Sequence, residues 1–230
     1  MDTLDSRTLG YFDLYIRRFT SPGEHPYALG AAALDPFSAE FPFTVLVGDA
    51  ASAAPVQHDV DVHREAGGLR ADPAEVRCAP GDTVRWHSVD ARTPRYVVRG
   101  TGPSGRWGSG RLESGTVYSH LFGLPGEYRW LDPLGNALSG TVEVAYPPPS
   151  EDPADFAAWR DAIRTISLVT IRGDSATPTA TKVLVGQWVV FGVEEAPGGG
   201  MAIADHRLVA PSAEAADASP PPKEAGDAVG

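Results

Sequence analysis

Six histidines and one cysteine are the residues whose types could bind a metal or carry a nucleophilic step: His25, His58, His63, His87, His120, His206 and Cys78. A blue-copper centre needs a thiolate, two imidazoles and a weak axial thioether. A covalent hydrolase needs a nucleophile beside a histidine. The spacing serves neither. His58 and His63 differ in parity, so a regular strand turns them to opposite faces. His87 follows Trp86 and points away from it, while Cys78 shares a strand face with Val76 and reads as a small core residue. His206, in Asp205-His206-Arg207-Leu208-Val209, has no companion ligand. Asp132 and Glu127 could pair as acid and base, but Glu127 lies in a tight corner, Leu124-Pro125-Gly126-Glu127-Tyr128. No Gly-x-Ser-x-Gly elbow, His-Glu-x-x-His helix or phosphate loop occurs. The glycine-rich run Ser104–Gly110 leads into no helix pattern and reads as a flexible loop in which Trp107 is either packed against the body or offered as a contact residue. The chemistry points to a non-enzymatic chain without a cofactor.

Composition narrows the partners. The net charge of −11 repels a phosphate backbone unless the positive charges are gathered. Arg77, Arg85, Arg92, Arg95, Arg99, Arg106 and Arg111 are scattered at strand-like spacing and read as solvated outer faces. Nucleic acid is therefore an unexpected partner. A single cysteine excludes an internal disulfide. No run approaches the ~20 apolar residues of a membrane span, and the start shows no basic segment followed by an apolar one. The expectation is a cytoplasmic protein away from membranes.

With 25 glycines and 21 prolines between short apolar runs, the chain reads as many strands joined by turns. Residues 1–56 form an N-terminal region with one good strand at 41–47. Its stretch Phe12–Arg17 fits a strand or a helix face. Residues 57–146 are successive short strands. Residues 147–166 hold a proline-rich linker and a helix, with Asp152 as N-cap, Pro153 at the first position and Asp155 in the first turn. Phe156, Trp159, Ile163 and Ile166 make one apolar stripe, expected to pack on the sandwich. Residues 167–210 return to strands, and 211–230 read as a disordered acidic tail.

One repeat is visible. Pro73, Gly81, Val84 and Trp86 recur at identical spacing as Pro178, Gly186, Val189 and Phe191. Each set gives a proline, an alternating strand, a glycine turn and a strand with Val and an aromatic on one face.

Four motifs inside 57–146 carry a family resemblance. Ala79-Pro80-Gly81-Asp82-Thr83-Val84-Arg85-Trp86 resembles a turn and strand of plastocyanin- and amicyanin-type cupredoxins, with Asp82 capping the turn through its side chain. Gly115–Phe122 resembles the strand before their ligand loop. Leu124-Pro125-Gly126-Glu127-Tyr128 resembles the Greek-key corner whose Tyr hydroxyl bonds back to the chain. Gly140-Thr141-Val142-Glu143-Val144 resembles the final strand. The resemblance implies an all-β fold: a Greek-key cupredoxin-like sandwich, plus a partial second β module and one connecting helix.

It also implies where copper would be held. Those positions carry Arg95 (or Pro94), Asp132, Gly135 and Leu138, and none is a copper ligand. Arg95 would place a permanent charge beside the metal. The expected function is therefore a structural or protein-interaction subunit, assembling with a protein partner or itself, with Tyr96 and Trp107 as candidate contacts. A small-ligand module with Arg95, Tyr96 and Asp132 around the former copper end is the alternative, and a carrier with unconventional copper ligands a third. The partial module would leave an open edge, covered by the strand at 41–47 or by a second molecule.

Overall fold

A computed structural model describes residues 3–30 and 40–209. The expected acidic tail, 211–230, lies outside the described residues. The described residues are mostly β, with burial that alternates along most strands. The first half contributes β1 (Asp13–Arg18), β2 (Gly23–Gly30), β3 (Phe43–Val47), β4 (Gln57–Glu65), β5 (Gly68–Asp72), β6 (Glu75–Cys78), β7 (Thr83–Ser88), β8 (Val97–Gly102) and β9 (Gly105–Gly108). The second contributes β10 (Thr116–Leu121), β11 (Gly126–Leu131), β12 (Ser139–Ala145), α1 (Pro153–Ala162), β13 (Ile166–Arg172), β14 (Ser175–Thr177), β15 (Ala180–Leu184), β16 (Trp188–Glu195) and β17 (Ala204–Asp205).

One eight-stranded sheet, β14-β13-β16-β10-β1-β7-β4-β5, runs through both halves. A five-stranded sheet, β6-β3-β2-β8-β9, and a four-stranded sheet, β15-β12-β11-β17, complete the sandwich-like layers. The pairings repeat between the halves. β4 is parallel to β7 as β13 is to β16, and β3 is parallel to β6 as β12 is to β15. The halves meet at β1 and β10, which are antiparallel, with Tyr15 opposite Tyr118.

The repeat thus runs much further than its proline–glycine signature. At one constant offset Leu4, Ser6, Leu9, Tyr15, Phe19 and Tyr27 answer to Trp107, Ser109, Leu112, Tyr118, Phe122 and Trp130, all buried. Tyr27 meets Trp86 edge-on at 5.5 Å, and Trp130 meets Phe191 edge-on at 5.4 Å, both at 79°. Gly81 and Gly186 both hold positive φ, +98° and +89°, a conformation glycine adopts without a steric penalty. Asp82 takes the Ala79 N–H at 2.9 Å, and in the second copy Gln187 takes the Leu184 N–H at 3.1 Å.

Several expectations are corrected by these pairings. Residues 57–146 do not close on themselves: β7 pairs with β1, and β10 pairs with β1 and β16. The strands after 166 are completed by β10, β11 and β12, not by the strand at 41–47, which pairs with β2 and β6. Both halves carry the same strand pattern, so local residues cannot tell which copy a strand will join. Phe12–Arg17 resolves as strand, and Gly105–Gly108 is strand rather than loop.

The helix begins as the capping residues require: Asp152 accepts the Ala154 N–H at 2.8 Å, with Pro153 next. Its stripe does not enter the core. No residue of α1 is buried and Phe156 is 59% exposed. Among the described residues no helix is long and apolar enough to cross a membrane.

Candidate functional site

Of the four positions where the resemblance would put copper, Asp132, Gly135 and Leu138 share the turn after β11, whereas Arg95 is held against Thr8 and Asp13. Arg95, just before β8, donates to the Thr8 carbonyl and lies 3.4 Å from Asp13. Asp132, after β11, accepts the Leu134 N–H at 2.9 Å, the Ala202 N–H at 3.0 Å and the Asn136 amide. Gly135 has positive φ in that turn, and Leu138 is buried with its carbonyl taking the Asp132 N–H at 2.9 Å. Arg95 therefore belongs to the five-stranded half and the other three to the four-stranded half. A cation, a saturated carboxylate, a glycine and a buried leucine offer copper no ligand set. Among the described residues no three of His, Cys, Asp and Glu are grouped as a metal ion requires.

The two residues expected to meet a partner are core residues. Tyr96 is fully buried and exchanges backbone hydrogen bonds with Leu9 at 2.6 and 2.9 Å. Trp107 is 5% exposed and packs against Trp86 at 5.6 Å and Phe19 at 5.4 Å. Period-two alternation inside β9 takes Trp107 inward, a signal hidden by the surrounding glycines.

The densest polar cluster lies where the halves join. Asp13, 1% exposed, receives the Tyr118 hydroxyl at 2.7 Å, the Gly10 N–H at 2.6 Å and His120 Nδ1 at 2.7 Å. The Tyr118 hydroxyl in turn accepts the Asp5 N–H at 3.1 Å. Burial first, then the Asp13 charge, pushes the phenols of Tyr96 and Tyr118 far above their ordinary range. His120 and Asp13 have the distances of a catalytic dyad, but the outer imidazole nitrogen of His120 is buried and meets no nucleophile. The cluster's chemistry is cohesion: one carboxylate ties β1, β10 and the N-terminal segment together. Sequence reasoning missed it because Asp13 and His120 meet only across the β1–β10 ladder.

A second feature is the outer face of the eight-stranded sheet. On β13 and β16 the residues opposite the buried Val169 and Phe191 side are Ile166, Leu168, Trp188 and Val190. The ladder continues them into Leu121 and Val117 of β10 and Leu14 and Ile16 of β1. Ile166 is 61% exposed and Leu168 50%. The other half of the same face is polar, with Arg85–Asp59 at 2.7 Å and His87–Asp61 at 2.9 Å.

No protein-family model, curated protein or solved structure matches the chain.

Proposed function

We propose that this chain is a non-enzymatic, metal-free assembly subunit, a copper-free cupredoxin-like protein in duplicate, whose apolar outer sheet face is buried against a second copy. One observation carries the reading. The cross-strand pair Leu168–Val190 occupies in the second half the place that Asp59–Arg85 occupies in the first. The same scaffold position is ion-paired in one copy and apolar in the other, so the fold itself does not call for the apolar pair. Exposed contiguous apolar surface of this kind marks an interaction site.

The occupant follows from shape and composition. The apolar part of this face, bounded by the Arg172–Glu194 ion pair at one end, fits the face of another sheet, as the layers of a sandwich do. A two-fold arrangement lays the β13–β16–β10–β1 surface of one copy on that of the other, leaving the ion-paired β7–β4 surface outside. The buried carboxylate of Asp13 and the saturated Asp132 support the non-enzymatic part of the reading, since both are consumed in holding backbone and side chains.

Light scattering of the full chain over a dilution series tests the proposal. The expected mass is that of two chains, falling to one on dilution. A single-chain mass at every concentration contradicts it.

A further inference from the structure

The apolar sheet face has relief as well as composition. Cross-strand register sets its outward residues in rows across β13, β16 and β10. The first row is Ile166, Trp188 and Leu121, and the second is Leu168, Val190 and Ser119. The third is Thr170, Gly192 and Val117. The first row is bulky throughout. The third drops to a glycine on the strand where the first carries a tryptophan. A hollow of about 620 Å³ lies there, with Gly192, Val117 and Ile16 of β1 among its walls and Arg18 and Glu194 among its polar residues.

The strand itself does not require that glycine. Gly192 is not among the glycines with positive φ. Among the described residues, a Cβ there would meet only Leu168 Cδ1, at an ordinary 3.5 Å. At the offset of the internal repeat, the counterparts of Trp188 and Gly192 are Thr83 and His87, and His87 pairs with Asp61 at 2.9 Å. The scaffold thus takes a small residue at the first position and a large one at the second, and this half reverses both. Glycine inside a strand weakens it and often marks a close approach of another chain or a ligand.

A two-fold contact needs a surface that complements itself. With the axis running across the strands at Leu168 and Val190, the first row of one copy lies over the third row of the other. Trp188 then faces Gly192, Ile166 faces Thr170 and Leu121 faces Val117. Three rows over the four strands cover roughly 19 by 20 Å, or about 400 Å². A patch of that size is at the low end for a specific interface, so one well-filled central anchor decides whether two copies hold. Resting on the assembly reading above, we propose that Trp188 of each copy seats in the Gly192 hollow of the other, and that this fit selects a second copy of the chain as the partner.

Sedimentation of full-length variants, alone and mixed, tests the fit. Gly192→Val fills the hollow with a side chain that strands favour. Trp188→Thr removes the anchor and installs the residue that the first half carries at the same place. Each variant alone should bind itself about tenfold or more weakly than wild type. Mixed in equal amounts, the two should recover a two-chain species. Trp188 of the first enters the open hollow of the second, while the shortened side chain of the second meets the filled hollow of the first. Gly192→Ala and Trp188→Val stand in for a variant that fails to fold. A wild type with the mass of one chain at every concentration ends the assembly reading and this inference with it. Variants that associate like wild type overturn the anchor alone, as does a mixture no tighter than either variant by itself.

Discussion

Tyr15 of β1 lies directly opposite Tyr118 of β10, and each stacks on the aromatic residue of its own half, Trp86 at 5.5 Å and Phe191 at 6.0 Å. The two are equivalent in packing but not in bonding. The Tyr118 hydroxyl joins Asp13 and the Asp5 N–H, whereas the Tyr15 hydroxyl is buried without a hydrogen bond. Tyr118→Phe should therefore cost about 1–3 kcal/mol, and Tyr15→Phe should fall within about 0.5 kcal/mol of wild type. Urea unfolding of the two variants measures the difference, and equal losses would refute the assignment.

Asp13 should be the costlier position. Asp13→Ala strands His120, the Tyr118 hydroxyl and the Gly10 N–H inside the protein. Removing one member of such a buried group costs roughly 3–5 kcal/mol. Deleting residues 1–50 goes further, since it removes β1 from between β10 and β7 and splits the eight-stranded sheet. That truncated chain should be insoluble or unfolded by circular dichroism, and a stable, soluble product would contradict the pairing.

Asp82 gives a pH signature. Backbone N–H groups of Ala79 and Val56, then His58, hold its carboxyl below the usual carboxylate range. A depressed folded pKa means that the stability it contributes is present above the unfolded value of about 3.9 and is lost as pH falls through the folded value. Wild type should lose more stability than Asp82→Asn between about pH 6 and pH 2. Parallel curves for the two proteins would remove Asp82 from that role.

Copper chemistry is tested by restoring it. Placing His, Cys, His and Met together through Arg95→His, Asp132→Cys, Gly135→His and Leu138→Met should create no blue centre, because Arg95 is held against Thr8 and Asp13 while the other three sit in the turn after β11. Intense colour on adding Cu(II) to the folded quadruple variant would show that the four positions do converge.

Much of this fold was legible in the residues. The capping aspartates, the glycine turns and the inward Val84, Trp86, Val189 and Phe191 all follow from local pattern. The corner at Tyr128 closes as expected, its hydroxyl reaching the Leu124 carbonyl at 3.0 Å. The matching corner at the N-terminus was hidden because His25 replaces the tyrosine, yet its ring nitrogen reaches the Ser21 carbonyl at 2.9 Å. A role kept by a different residue leaves no identity to detect. The same substitution of Gln187 for Asp82 concealed the second capped turn. The shared central sheet was illegible for another reason: duplicated strands carry duplicated patterns, and only tertiary packing selects which copy pairs with which. The candidate site inherited that error, since splitting the ligand positions between halves depends on the pairing.

The apolar sheet face is tested most directly by charging it. Leu168→Glu combined with Val190→Glu lies at the centre of that face, and Lys182→Glu, 81% exposed on β15, serves as the control. Near-UV circular dichroism establishes that each variant keeps its aromatic packing. Light scattering should then give a single-chain mass for the double variant, at concentrations where wild type and Lys182→Glu have the mass of two. Equal masses for all three proteins would contradict assembly through this face.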